Sequence, residues 1–254
     1  MKKVLGIAAA VGLSLCMSAT AFAAPEAAET ESDAYLAELA GSYTELFPVM
    51  DAENAKQIWY DQFEEILGIE DEETAEMLRE IIIAMFEAEV SGEDAMALAA
   101  EDPTYGSFDC YFENGLASLS FEGNTISGYD EEGNEVFSHN YTYLEDVKVD
   151  FGAMNEMYAE MLSEEDWPVF SVYESDGEDD GFKYFAFLAD TPAETFHIEF
   201  RFGPTEEGIG SYYDGDYAYW LAAGFLQDAP EQMLNDVINL FVSENAASFA
   251  EMLG

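Results

Sequence analysis

Residues 181–203, GFKYFAFLADTPAETFHIEFRFG, contain the pattern that decides the fold of this chain. From residue 195 onwards polar and apolar side chains alternate, which is the two-residue period of a strand. The apolar positions are Phe196, Ile198, Phe200 and Phe202, and the polar positions are Thr195, His197, Glu199 and Arg201. Residues 183–189 are rich in aromatic side chains, and turn residues at 190–194 separate the two segments. The stretch predicts a β-hairpin of a small barrel or of a sheet with one buried face.

The two-residue period continues towards the N-terminus and predicts an antiparallel meander. Turn dipeptides such as Asn114-Gly115 and Gly123-Asn124 separate closely spaced strand patterns. The predicted strands are residues 107–113, 115–121, 125–129, 135–144, 147–151 and 167–174.

Helical patterns flank the meander on both sides. A short helix at residues 35–40 ends at Gly41, and a strand at 42–47 follows it up to a break at Pro48. Apolar residues at helical spacing predict further helices at residues 53–67 and 72–89, and a final helix that opens at Ala229-Pro230. The acidic, alanine-rich residues 91–103 are predicted to form a short helix, and residues 154–162 a helical turn or two. The predicted class is therefore α+β, an antiparallel barrel or one-faced sheet with N-terminal helices and a C-terminal helix.

The first 23 residues are predicted to be an export signal. A basic start and an apolar run lead to the small residues Ala21-Phe22-Ala23, and cleavage there leaves 231 of the 254 residues. We expect a flexible acidic lead at 24–34 and a single domain at 35–254. Because Leu15 precedes Cys16, where lipidation needs a small residue, free export to the periplasm or the exterior is favoured over lipid anchoring.

The composition excludes several classes of partner. The formal net charge is −48, and loss of the two lysines of the signal takes it to −50. Nucleic acid and anionic membranes need a basic surface, so neither is predicted as a partner, and no later segment is apolar enough to span a membrane. Most of the 55 acidic residues are expected to form a solvated surface that concentrates cations. A hydrophobic content of 49% is enough for a folded core.

The acidic loop at 176–181 has the spacing of a calcium-binding loop over its first half. Asp176, Glu178 and Asp180 followed by Gly181 match the start of an EF-hand loop. The twelfth position, which needs a bidentate Glu, is Phe187. We therefore predict a solvated hairpin turn that binds ions weakly at most.

Four short motifs resemble the ZinT (YodA-like) family of exported zinc-binding proteins. Residues 39–48, LAGSYTELFP, are similar to its aromatic opening motif, and residues 121–143 are similar to its paired strands with a Tyr-x-Tyr. Residues 182–187 resemble its KYIQFSDH strand and residues 196–200 its HFHI strand. The resemblance covers residues 35–242. It implies a calycin, or lipocalin-like, β-barrel with accessory helices, a role in zinc uptake or buffering, and a metal ABC transporter component as partner.

The resemblance also implies a zinc ion held by three histidines inside one end of the barrel. His197 matches the second histidine of HFH, Thr195 occupies the first position, and the upstream histidine falls near Asp190. Residues two apart on a strand share a face and can hold one ion. The candidate metal ligands are His197, Asp190, Glu199 and His139, with Glu194 as a further loop carboxylate. Such a site is harder in character than three imidazoles and binds zinc less tightly.

Other functions remain open at the level of sequence. Without the resemblance, a lone strand histidine such as His197 is typical of a hydrogen-bonded structural residue. A metal-free calycin module that binds a small apolar ligand, or acts as an interaction protein, is the alternative. The aromatic residues considered for it are Phe185, Phe187, Phe200, Tyr212 and Tyr213, which are equally typical of a plain core. Catalytic motifs such as a GxSxG elbow or an HExxH helix do not occur, so we predict that the protein is not an enzyme.

Overall fold

The computed structural model describes residues 32–86, 109–148, 169–177, 180–188, 197–205 and 220–253. Eight antiparallel strands within these residues close into one barrel, in which neighbours in sequence pair and the last strand pairs with the first. The strands are β1 (Gly41–Glu45), β2 (Ser118–Glu122), β3 (Thr125–Tyr129), β4 (Glu135–Lys148), β5 (Val169–Ser175), β6 (Tyr184–Leu188), β7 (His197–Gly203) and β8 (Ala222–Leu226). The helices are α1 (Ser32–Glu38), α2 (Leu46–Asp51), α3 (Lys56–Gln62), α4 (Glu72–Met85) and α5 (Glu231–Leu253). The predicted α+β class with an antiparallel calycin-like barrel is confirmed.

The barrel wall separates two hydrophobic cores. Because residues paired across two strands share a face, the register assigns each side chain to one core. Phe185 pairs with Phe202 and lies in the lumen core, whereas Ala186 pairs with Arg201 on the opposite face. The outer core joins that face to the helices, and its larger members include Phe47, Trp59, Phe63, Phe86, Phe170, Phe225, Ile238 and Phe241.

Side chains close both ends of the lumen. At one end, Tyr35 of α1 meets Phe187 edge-on with ring centroids 5.9 Å apart, and its hydroxyl donates to the carbonyl of Leu188. At the other end, the ring of Trp220 lies 4.9 Å from that of Phe202. The N-terminal helix is therefore part of the barrel core and not a separate layer.

Several element boundaries differ from the predicted ones for local reasons. Pro48 does not end a strand but lies in the first turn of α2, where a helix needs no backbone N–H. The strands predicted at 135–144 and 147–151 are wrong as two elements, because β4 runs continuously to Lys148 with a shift of register between Tyr143 and Glu145. The strand predicted at 107–113 is wrong too: the described part of it forms a single parallel bridge at Asp109.

One predicted helix end is confirmed, and several other predicted segments lie outside the described residues. Gly68 has a φ of 72° and ends a π-helical turn that extends α3, as the sequence indicates. α1 begins at Ser32, within the last residues of the segment 24–34, and the rest of that segment lies outside the described residues. The signal, the helical segments at 91–103 and 154–162, and the turn at 190–194 lie outside the described residues. Of the helices that the structure describes, none has the length and apolar character needed to cross a membrane.

Candidate functional site

His197 and Glu199 lie side by side on β7 and form a buried polar pair. His197 Nε2 is 3.3 Å from Glu199 Oε1, and the two side chains are 4% and 2% exposed. Strand geometry brings them together because alternate residues point the same way. A buried carboxylate and a buried imidazole are costly unless they share a proton or a charge with a partner. Such a pair has the donor atoms to share a proton or to bind a cation away from water.

The pair faces the helices and not the barrel lumen. His197 lies opposite Phe225 in the register and Glu199 lies opposite Ala223. Both partners belong to the outer core, whereas Ile198 and Phe200 of the same strand belong to the lumen core. The expectation of a zinc site inside the barrel is therefore not met by His197, because the apolar residues of β7 occupy the lumen.

Arg201 continues the same row of polar side chains. It is fully buried and pairs with Ala186, which is also an outer-core residue. A guanidinium keeps its charge even when buried. The outer face of β7 therefore carries an imidazole, a carboxylate and a positive charge in succession beneath the helices.

His139 belongs to a different environment. It lies on β4 opposite Ile126, a lumen-core residue, so its side chain is on the inner face of the wall. His139 Nε2 is 2.6 Å from Asp180 Oδ2 in the acidic loop. Gly177 permits this approach, because a Cβ there would come within 2.5 Å of His139 Nδ1.

A second carboxylate of the acidic loop, Asp176, also forms hydrogen bonds with β4. Asp176 accepts hydrogen bonds from both the backbone N–H and the side-chain amide of Asn140, each at 3.0 Å. The side-chain bond first, and then the backbone bond, hold the pKa of Asp176 below its usual value. The described acidic residues of this loop therefore serve as acceptors for β4, which the sequence prediction of a solvated turn did not foresee.

The structure brings together only part of the candidate ligand set. His197 and Glu199 are in contact, while His139 is on the opposite face of the barrel wall, so the two imidazoles do not share one site. Asp190 and Glu194 lie outside the described residues. In the described ranges, no group of three or more His, Cys, Asp or Glu side chains is placed to hold a metal. The pair at His197 offers half of the four ligands that zinc usually takes.

The lumen is filled by aromatic side chains. Phe185, Phe187 and Phe200 are fully buried, and their ring centroids lie 5.8–5.9 Å from one another. Tyr212 and Tyr213, which the sequence added to this group, lie outside the described residues. A small apolar ligand would have to displace these rings, so they serve as a packed core.

A group of carboxyl side chains that was not predicted from the sequence lies at the end of β1, and one of them, Asp109, is buried. Asp109 is only 4% exposed, its side chain accepts the N–H of Tyr111 at 3.0 Å, and the side chain of Glu45 accepts the N–H of Phe112 at 2.9 Å. Burial above all, and then Glu113, raises the pKa of Asp109 to about 8, although the Tyr111 N–H opposes the shift. Burial also raises the pKa of Glu45. The available signal was an acidic residue within the apolar run SFDCYF.

Proteins similar to this chain are found among solved structures. No protein-family model matches the chain, and no curated protein matches it. Among solved structures, the Zn(II)-bound ZinT-like domain of Streptococcus pneumoniae AdcA aligns over 81% of this chain and 89% of its own, with 15% identity and a TM-score of 0.46. Zn(II)-bound AdcA from the same organism aligns over 87% of this chain at 14% identity, with a TM-score of 0.45. This chain spans only 40% of that AdcA chain. The fold class stated above rests on the strand pairing of this chain.

Proposed function

We propose that this is an exported protein that binds Zn²⁺ or a similar divalent cation at the His197–Glu199 pair and serves in metal uptake or buffering. The observation that carries the proposal is the buried contact between His197 Nε2 and Glu199 Oε1. An imidazole nitrogen and a carboxylate oxygen are both donors that zinc accepts. An ion between these atoms replaces the shared proton, so metal binding releases protons and weakens on acidification.

The donor set also indicates how tightly the metal is held. One imidazole with one carboxylate binds zinc less tightly than the three histidines of the resembling family. Weaker binding suits a protein that buffers a metal and passes it on. The resemblance supplies a component of a metal ABC transporter as the partner, and the AdcA structures, described as Zn(II)-bound, name the ion to test first. We propose no catalytic step for this protein.

We also propose that the protein is exported, which the mass of the recovered protein tests. Cleavage after Ala23 would release a chain that begins at Ala24. We expect the mass of the protein recovered from the culture medium or the periplasm to correspond to residues 24–254. A recovered chain that retains residues 1–23, or carries lipid on Cys16, would contradict free export.

Zinc titration of histidine variants tests the site. The chain has two histidines, so His139→Ala is a matched control for His197→Ala. Zinc affinity is measured by calorimetry with excess Mg²⁺, which occupies the unspecific acidic surface. We expect His197→Ala to weaken binding at least tenfold and Glu199→Gln to weaken it about as much, since each variant removes one donor.

The control separates the proposed site from the rest of the surface. His139→Ala should bind zinc as the parent protein does, because its imidazole lies on the other face of the wall. Equal loss in both histidine variants, or unchanged affinity in His197→Ala, would remove the His197–Glu199 pair as the site.

A further inference from the structure

β4 extends well beyond the strand that pairs with its first half. β3 begins at Thr125, which lies opposite Asn140, and the turn before it leads back to β2. Beyond that point the N–H of Tyr141 donates to the carbonyl of Asn124 at 2.8 Å. Residues 142–148, here named the open edge, pair with β5 alone within the described part of the chain. The open edge is about 20 Å long.

Backbone groups along β4 point alternately to its two sides. The carbonyl of Asn140 accepts the N–H of Asp176 on the β5 side at 2.9 Å, whereas the N–H of Tyr141 points to the β3 side. The alternation therefore directs the backbone groups of Thr142 towards β5 and those of Tyr143 away from it. The N–H and C=O of Tyr143 thus lie on the side that β3 does not reach.

The register shift in β4 does not change which side is open. After the shift, the partner of Glu145 is Val172, two residues before the partner of Thr142. Residues two apart on a strand point the same way, so Glu145 directs its backbone groups towards β5 as Thr142 does. Asp146 therefore directs its N–H and C=O to the open side, as Tyr143 does. Among the described residues, no strand lies on that side of these two.

The open edge is packed against the barrel on its other side. Val147 lies opposite Phe170, and both contact the outer core. Tyr143 meets Tyr173 edge-on with ring centroids 5.8 Å apart. A strand that docks here therefore finds the edge already ordered, which lowers the entropic cost of binding. The exposed side chains of the open edge are those of Thr142, Leu144, Glu145, Asp146 and Lys148.

We propose that the open edge is a docking site for an extended, lysine- or arginine-bearing segment of a partner protein, which adds to β4 as a further strand. An exposed sheet edge offers N–H and C=O groups with which an extended peptide pairs. The charges of the open edge are those of Glu145, Asp146 and Lys148, so its net charge is negative. Basic side chains opposite the two carboxylates stabilise the pairing.

The same charges disfavour a second copy of this chain as the occupant. A second copy would bring Glu145 and Asp146 to the edge again, and like charges on paired strands are destabilising. It would also bring a formal net charge of −48. The docking site is independent of the proposed metal pair, since it involves neither His197 nor Glu199.

Amide hydrogen exchange measured by NMR with a probe peptide tests the docking. The probe has blocked termini, alternates lysine and valine and is about as long as the open edge. Its control is the same peptide with an N-methyl group on every residue, which keeps the charge but removes the N–H donors and prevents close approach of a strand. Measurements in 0.15 M NaCl weaken unspecific attraction to the acidic surface.

We expect the lysine–valine peptide at saturation to slow exchange of the Tyr143 and Asp146 amides at least tenfold, because their N–H groups become hydrogen-bonded. The amides of Thr142 and Glu145 already face β5 and should change less than twofold. The N-methylated peptide should slow none of the four. A peptide with glutamate in place of lysine should bind at least tenfold more weakly.

Asp146→Pro tests the open edge from the side of the protein. Proline removes one N–H of the open edge and none that faces β5, and edge strands tolerate it. We expect this variant to bind the lysine–valine peptide at least tenfold more weakly. Asp146→Asn is the matched control, which keeps the N–H and loses only the charge, so its affinity should fall about threefold. If the proline variant does not fold, the comparison of the two peptides on the parent protein decides.

Three results would overturn the proposal. The first is unchanged exchange at Tyr143 and Asp146 in millimolar lysine–valine peptide. The second is an equal effect of the N-methylated peptide, which would assign the binding to charge alone. The third is slowing of these two amides with rising protein concentration in the absence of peptide, which would assign the open edge to a second copy.

Discussion

Arg79, one of the few cationic residues of this chain, forms a buried ion pair between helices. It is 4% exposed on α4, where it donates two hydrogen bonds of 3.0 Å to Glu76 and contacts Asp51 of α2. Glu76 also accepts from Tyr60 and pairs with Lys56. The ion pair thus joins three helical segments. The pH dependence of stability can show how much the carboxylate of Glu76 contributes.

Glu76→Gln is expected to lower the free energy of unfolding by about 1–3 kcal/mol at pH 7. Arg79 foremost holds the pKa of Glu76 at about 2, below its usual 4.5. The stabilisation is therefore complete above about pH 4.5 and is lost as the pH falls towards about 2. Urea denaturation at pH 7 and pH 2.5 measures the difference between the variant and the parent.

Glu80→Gln is the control for this prediction. Glu80 is exposed on the same helix, and its substitution should change stability by less than about 0.5 kcal/mol. A Glu76→Gln variant that matches Glu80→Gln at pH 7 would show that the ion pair adds no stability.

The sequence placed His197 and Glu199 on one face of a strand, and that part of the site was predictable from alternation alone. Which face is solvated was not predictable, because every residue of β7 is buried. A polar row on a strand normally faces water, whereas here the helices cover it. His139 was included among the candidate ligands although it lies on another strand. The two-residue period assigns each side chain to a face of its own strand but gives no distance between strands.

Close packing between β3 and β4 is the element-scale feature most open to test. A Cβ on Gly128 would collide with the ring of Phe137 and come within 2.6 Å of Leu116 Cδ2. Gly128→Ala is therefore expected to lower the free energy of unfolding by about 1–3 kcal/mol, the usual cost of overpacking a core. Gly224→Ala should cost less, because its nearest neighbour, Ile198 Cγ1, is 2.9 Å away. Guanidinium denaturation ranks the two variants, and the reverse order would contradict this packing.

The meander was predictable at the element scale because each hairpin is local in sequence. Closure of the barrel was not, since Tyr43 of β1 pairs with Leu226 of β8. No local pattern specifies a pairing between residues so far apart. The hairpin pattern fits a one-faced sheet as well as a barrel, so only the resemblance favoured closure. The continuous β4 was also missed, because an irregular register near Leu144 looks like a break in alternation.

Charge imbalance dominates the behaviour of the whole molecule. The chain carries 55 acidic residues against seven Lys and Arg, and two of those seven are in the predicted signal. Repulsion among exposed carboxylates opposes the compact state, and salt shortens its range from about 30 Å at 0.01 M to about 3 Å at 1 M. We expect the melting temperature to rise steadily with NaCl over this range. A melting temperature that is independent of salt would mean that the charges are already neutralised.

The same imbalance determines how metal binding must be measured, because any divalent cation screens this surface. At constant ionic strength, Mg²⁺ should raise the melting temperatures of the parent and of His197→Ala equally, since screening does not depend on one imidazole. Zn²⁺ should raise that of the parent further, because specific binding adds about 2.7 kcal/mol of stability at a hundred times the dissociation constant. The difference between the two ions in the two proteins thus isolates the His197–Glu199 pair from the ion atmosphere. An equal response to Zn²⁺ in both proteins would assign all of the zinc effect to the acidic surface.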